Sequence, residues 1–118
     1  MWNLPGLSPP VTNVWSFEVH LIVLASNPTA GCAWEQGLEV ALNLAEMGAE
    51  CAVLLEQEFE YACAWNDPEV GFVKKLSQLE LYEVAVYAEI PMKFVWIKSC
   101  DTSEAARLMA EAAGIMVF

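Results

Sequence analysis

A helix-length stretch held between two apolar runs constrains this chain most. It reads Gly31-Cys-Ala-Trp-Glu-Gln-Gly-Leu-Glu-Val-Ala-Leu-Asn-Leu-Ala-Glu-Met-Gly48. Before it stands Val19-His-Leu-Ile-Val-Leu-Ala25, and after it Ala49-Glu-Cys-Ala-Val-Leu-Leu55. Trp34, Leu38, Ala41, Leu42 and Ala45 recur at steps of three and four, as one buried helix face requires. Gly48 supplies the stop, because glycine enters the left-handed C-terminal turn without a Cβ penalty. A strand, a helix and a strand of these lengths form a βαβ unit. Such a unit makes a parallel pair joined by a right-handed crossover.

The rest of the chain extends that pattern. Residues 1–15 contain Pro5, Gly6, Pro9 and Pro10 and are expected to form an irregular arm. Its Trp2, Leu4, Leu7 and Trp15 suggest packing on the chain's own domain or on a neighbour. A single α/β domain is expected over residues 16–118. The first strand covers about 16–25 and the second about 50–55. An acidic, aromatic segment follows at 56–68 and breaks at Asn66-Asp-Pro68. Val70, Val73 and Leu76 mark a short helix over 69–79. Third and fourth strands are expected at 81–87 and 92–97. Asp101 or Thr102 can cap a helix running to about 113, with Glu104 in its first turn. Gly114 ends that helix, and residues 115–118 form a fifth strand. The pattern predicts a three-layer α/β/α fold with about five mainly parallel strands. Ligands of such sheets gather at the carboxyl ends of the strands. Here those ends are residues 25–32, 55–63, 87–91 and 98–102.

Composition narrows the function. Hydrophobic residues make up 57% of the 118, more than a domain this small can hide, so part of the surface is expected to meet other subunits. Unbroken apolar runs such as Leu21 to Ala25 fall far short of the ~20 residues of a membrane span. The opening Met1-Trp-Asn-Leu-Pro-Gly6 has no basic n-region, which argues against a secretory signal and for a cytoplasmic protein. The net charge is −11, with five Lys and Arg in all. Direct binding to nucleic acid or anionic membrane is therefore not expected. A basic partner protein is compatible.

Two cysteines are candidate catalytic residues. Cys32 opens the first helix and Cys100 lies just before the last. A helix N-terminus stabilises a thiolate, so either could act as a nucleophile or carry a persulfide. The plain alternative is that each is a small buried hydrophobe. Cys51 belongs to the second strand and is read as core. Cys63 lies in the acidic segment. No pair of cysteines has zinc-knuckle spacing, and a disulfide framework is not expected in a cytosolic chain. His20, the single histidine, sits in an apolar strand; a Cys–His dyad is conceivable, but a structural role is the simpler reading. Glu56, Glu58 and Glu60 would share one face if extended, giving either a cation site or a solvated acidic edge. There is no Gly-x-Gly-x-x-Gly, no Gly-Lys-Ser/Thr and no Gly-x-Ser-x-Gly. No cofactor or resident metal is therefore expected.

Four stretches together resemble the DsrE/DsrF/DsrH (TusBCD-like) superfamily, most of all its DsrF/TusC-like subunits. They are the first strand and loop leading into Ala33-Trp-Glu-Gln-Gly-Leu-Glu-Val-Ala-Leu42; Cys51-Ala-Val-Leu-Leu55 with the acidic segment holding Phe59 and Tyr61; Leu76-Ser-Gln-Leu-Glu-Leu-Tyr-Glu-Val84; and Ala105-Ala-Arg-Leu-Met-Ala-Glu-Ala-Ala-Gly-Ile-Met-Val-Phe118. The chain departs from the family pattern at Glu58-Phe59-Glu60, which lacks a glycine, and in a connection after the third strand cut to about five helical residues, 88–92. The resemblance implies a small cytoplasmic protein working in a homo- or hetero-oligomer of related subunits. Such assemblies pass sulfur as cysteine persulfide in tRNA thiolation or sulfur oxidation, with a sulfur-carrier protein as a further partner. In the sulfur-accepting subunits the active cysteine follows the third strand. Here Ala85-Val-Tyr-Ala-Glu-Ile90 contains none. The resemblance therefore implies an assembly subunit more than a catalytic one. The alternatives are a sulfurtransferase using Cys32 or Cys100, and a plain α/β ligand-binding module.

Overall fold

The computed structural model describes residues 19–66 and 70–118. The arm at 1–15 and the first residues of the expected first strand lie outside them. Five strands form one parallel sheet: β1 (His20–Leu24), β2 (Cys51–Leu55), β3 (Ala85–Ala88), β4 (Ile97–Ser99) and β5 (Gly114–Val117), in the order β4-β3-β2-β1-β5. The helices are α1 (Ala33–Glu46), α2 (Gln57–Trp65), α3 (Gly71–Leu76), α4 (Gln78–Leu81) and α5 (Thr102–Glu111). The expected α/β fold with a parallel sheet is present.

The layers follow from strand alternation. In register, Ile22 stands beside Val53, which stands beside Val86, which stands beside Ile97. These residues face α1 to α4 in the larger core, with Leu24, Leu55 and Phe59. The opposite faces of β1 and β2, with Leu21, Val23 and Leu54, meet Ala105, Leu108 and Met109 of α5. Both faces of β1 and β2 are covered, so these strands read as continuous apolar runs. On the α1 side, Trp34, Phe59 and Phe72 bring α1, α2 and α3 together, with ring centroids 5.8–6.3 Å apart.

Two helix ends share one device. After α1, the Ala49 N–H donates to Leu44 O and the Gly48 N–H to Ala45 O, with Gly48 at φ 82°. This is the Schellman stop that Gly48 announces. After α4, the Val84 N–H donates to Leu79 O and the Glu83 N–H to Glu80 O, with Glu83 at φ 60°. Glutamate holds the left-handed position there. This corrects the expected third strand at 81–87: Leu81 and Tyr82 end a helix, and β3 starts at Ala85.

Three further expectations change. The helix at 69–79 divides at Ser77, whose hydroxyl donates to Lys74 O at 2.6 Å. The expected fourth strand at 92–97 is a loop that buries Phe94 and exposes Val95, and β4 begins at its far end, Ile97. The connection after β3 contains no helix: residues 89–96 are turns and coil.

Candidate functional site

The chain winds from β1 through β2 and β3 to β4 in one direction across the sheet, then returns through α5 on the other face to place β5 beside β1. Right-handed crossovers require the change of face. The segments leaving β2 and β4 therefore diverge to opposite faces, with β3 between them. Their carboxyl ends gather Glu56 and Glu60 from the start of α2, Glu89 and Ile90 after β3, and Cys100, Asp101, Thr102 and Glu104 at the start of α5.

Glu60 is the centre of this edge. The expectation of an extended segment with Glu56, Glu58 and Glu60 on one face is overturned, because Gln57–Trp65 is helical. The helix sets Glu58 in solvent and turns Glu60 inward with Phe59 and Cys63. Glu60 is 7% exposed, the one buried charged residue among those described. Its Oε2 accepts the backbone N–H of Glu89 at 2.5 Å and of Ile90 at 2.8 Å. Charge-assisted bonds of this kind are roughly twice as strong as neutral ones, and here they fix the loop that leaves β3. The Glu89 carboxylate in turn accepts from the Thr102 hydroxyl at 3.2 Å. At the start of α5, the Glu104 N–H donates to Asp101 Oδ1 at 2.8 Å and the Asp101 N–H donates to Glu104 Oε1 at 2.9 Å. This is the capping box that the residue pattern allows. One chain of hydrogen bonds thus links α2, the loop after β3 and α5.

The same carboxylates set the thiol chemistry. Burial first, then the charge of Glu60, pushes the Cys63 thiol up to about 12. Burial, then Glu89, Glu104, Glu60 and Asp101, pushes Cys100 up to about 11. The expected lowering at Cys100 is therefore reversed, because burial, and then several acids, outweigh one helix end. Glu56 is raised by burial and by Glu89 and Glu60. Asp101 is lowered, chiefly by the Glu104 N–H and then by the Ser103 hydroxyl.

The two candidate cysteines are not brought together. Cys100 is buried and lines a cleft of about 150 Å³ with Tyr87, Ser99, Glu104 and Arg107. Cys32 is exposed at the N-cap of α1, in a different cleft of about 410 Å³ that includes Glu35, Lys75 and Gln78. Cys51 is half-buried in β2, beside His20 in register, at the amino end of the sheet. Its thiol donates to Ala41 O at 3.5 Å, and burial raises it. A cleft of about 580 Å³ lies at that same end, away from Glu60. Among the described residues no cluster of three His, Cys, Asp or Glu side chains could hold a metal ion. No helix among them is long and apolar enough to cross a membrane.

Sequence reasoning singled out Glu60 only as part of an acidic edge, missing its buried role, and it missed Glu89 altogether. A signal existed for Glu60: Phe59, Ala62 and Cys63 recur at helical steps, and a helix over them turns Glu60 inward. Nothing local marks Glu89, whose partner lies across the fold.

No protein-family model matches the chain, and no curated protein matches its sequence. The structure is similar to the crystal structure of the YchN protein from E. coli, with a TM-score of 0.68 and 17% sequence identity. The match covers 86% of this chain and 99% of that one. A likeness at this identity is one of fold, and the fold shared with that protein is an α/β arrangement of a five-stranded parallel sheet with helices.

Proposed function

We propose that this chain is a DsrF/TusC-like subunit of a cytoplasmic sulfur-relay complex, with an assembly role rather than that of the persulfide acceptor. The DsrE-like fold supports the general reading. One observation carries the finer one. Where the resemblance implies an active cysteine after β3, this chain has Glu89 and Ile90, and their N–H groups are engaged by the Glu60 carboxylate. The thiols nearest that loop, Cys63 and Cys100, are held protonated by burial and surrounding acid. A persulfide acceptor attacks as thiolate, and neither is one at neutral pH.

The test exposes the folded protein to a persulfide donor at neutral pH and reads intact mass with peptide mapping. The expected result is no added sulfur on Cys63 or Cys100. A gain of one sulfur atom on either would overturn the assembly role. A second reading, a sulfurtransferase carrying persulfide at Cys32, is favoured by one observation: Cys32 is the exposed cysteine. The same mapping decides it. Sulfur on Cys32 that passes to an acceptor thiol supports that reading, and an unmodified Cys32 removes it.

A further inference from the structure

We propose that the cleft between β3, β4 and α5 is a binding site for a small zwitterionic α-amino acid, with its carboxylate on Arg107 and its ammonium on Glu104. The cleft holds about 150 Å³ and is lined by Tyr87, Ser99, Cys100, Glu104, Arg107 and Leu108. It lies toward the carboxyl ends of the strands, where ligands of such sheets gather. α5 packs over β1 and β2. On that same face β3 and β4 leave Tyr87 half-buried and Lys98 exposed. The flank of α5 beside them carries Glu104, Arg107 and Leu108, spaced i, i+3 and i+4 as one helix face requires.

Two opposite charges stand open in this cleft. Glu and Arg three residues apart on a helix are neighbours that ordinarily pair. Here each is turned elsewhere. Glu104 Oε1 accepts the Asp101 N–H at 2.9 Å in the cap of α5. Arg107 Nε stands 3.8 Å from Glu111 Oε2, one turn further on and beyond hydrogen-bond reach. No ion pair joins Glu104 to Arg107 among the described residues. The guanidinium keeps its donors, and Glu104 its second oxygen, for a ligand between them. Neutral groups complete the lining. The Tyr87 and Ser99 hydroxyls and the Cys100 thiol have no hydrogen-bond partner among the described residues. A few polar groups set beside apolar walls, here Leu108 and the Tyr87 ring, orient the ligand in small-molecule sites generally.

Charge selects the class of ligand. A free anion would meet Glu104, and the Glu89 and Asp101 carboxylates that also act on Cys100. A free cation would meet Arg107, and Lys98, whose Nζ lies 5.8 Å from the Tyr87 ring centroid. A zwitterion answers both signs at once. An α-amino acid carries its two charges on one carbon, close enough to bridge side chains on one helix face. Its carboxylate suits the planar guanidinium, which binds such groups bidentately. Volume sets the size. A cavity of this volume accommodates benzene in another protein, so roughly six or seven non-hydrogen atoms fit. Alanine, serine and cysteine are of that size.

The site stands whether or not the chain works in a sulfur relay, because its lining acts as charges and hydrogen-bonding groups and not through a thiolate. The experiment titrates the full chain with L-alanine at neutral pH and follows its backbone amide resonances. Saturable shifts of the Ser99, Cys100 and Arg107 amides are expected at millimolar ligand. Propionate and ethylamine each carry one of the two charges, and each is expected to bind about tenfold more weakly. Arg107→Met keeps the aliphatic stem and removes the guanidinium. Glu104→Gln keeps the acceptor of the cap and removes the charge. Each variant is expected to weaken L-alanine binding about tenfold with the remaining amide resonances unmoved. The absence of saturable shifts with L-alanine, equal binding by the two variants and the wild type, or a single-charge probe binding as tightly as L-alanine overturns the proposal.

Discussion

The Glu60 carboxylate and the Ile90 backbone N–H, 30 residues apart in sequence, meet at 2.8 Å beneath the carboxyl end of the sheet. The Glu89 N–H shares the same oxygen. Glu60→Ala strands two part-buried donors, and an unsatisfied group costs up to about 1–3 kcal/mol. The variant is expected to lose about 2–4 kcal/mol in denaturant unfolding, less than the full sum because water can enter the vacated space. Glu60→Gln keeps an acceptor and is expected to lose about half as much. Amide exchange at 89 and 90 should quicken in Glu60→Ala well before global unfolding. Unchanged protection there would show that the carboxylate does not hold the loop.

Glu83 offers a stabilising change. It occupies the left-handed position that Gly48 occupies after α1. A side chain there costs about 1 kcal/mol. Glu83→Gly is expected to raise stability by up to about 1 kcal/mol, and Gly48→Ala to lower it by a similar amount. Thermal unfolding of the two variants reads both signs, and a destabilised Glu83→Gly would contradict the strain argument.

These positions show what could be read from the sequence and what could not. The strand–helix–strand over 19–55 was legible because its helix repeats apolar residues at three and four, and its stop is a glycine. The Asp101 cap was legible for the same reason: capping chemistry is local. Leu81 and Tyr82 were misread because they run on into the apolar residues of β3 as a strand would, and the helix stop after them is a glutamate rather than a glycine. The acidic segment was misread because its alternating Glu residues masked the helical step of Phe59, Ala62 and Cys63. The acid edge near Cys100 depends on Glu60 and Glu89, which only the fold brings close. A helix N-terminus was therefore taken to lower a thiol that its surroundings raise.

Two carboxylates are expected to tilt the pH dependence of stability in opposite directions. Glu56 is raised by burial and by Glu89 and Glu60. The folded state then holds its proton to higher pH than the unfolded chain. Stability falls as pH rises from the ordinary glutamate range through the raised value. Asp101 is lowered. Its contribution is present above the ordinary aspartate range and is lost as pH falls through the lowered value. Glu56→Gln should flatten the loss on the rising side, and Asp101→Asn the loss on the acid side. Chemical unfolding of both variants across the acid-to-neutral range checks the signs, and identical profiles would refute the assignment.

Gly37 sets how closely α1 lies against the sheet. It is buried on α1. A Cβ there would stand 2.6 Å from Leu24 Cδ2 and 2.8 Å from Phe118 Cδ2. Leu24 is fully buried in β1 and cannot swing clear. The Phe118 backbone is tied to Val23, Ala25 and Ser26. In an exposed helix, Gly→Ala gains about 1 kcal/mol. Here the clash is expected to reverse the sign, because overpacking a filled core costs about 1–3 kcal/mol. Gly37→Ala should therefore unfold at lower denaturant than the wild type, by a net loss of up to about 2 kcal/mol. The displaced Phe118 ring should also loosen the end of β5, seen as faster exchange of the Ala25 and Phe118 amides. A variant as stable as wild type would mean that α1 rides further from β1 than its glycine allows.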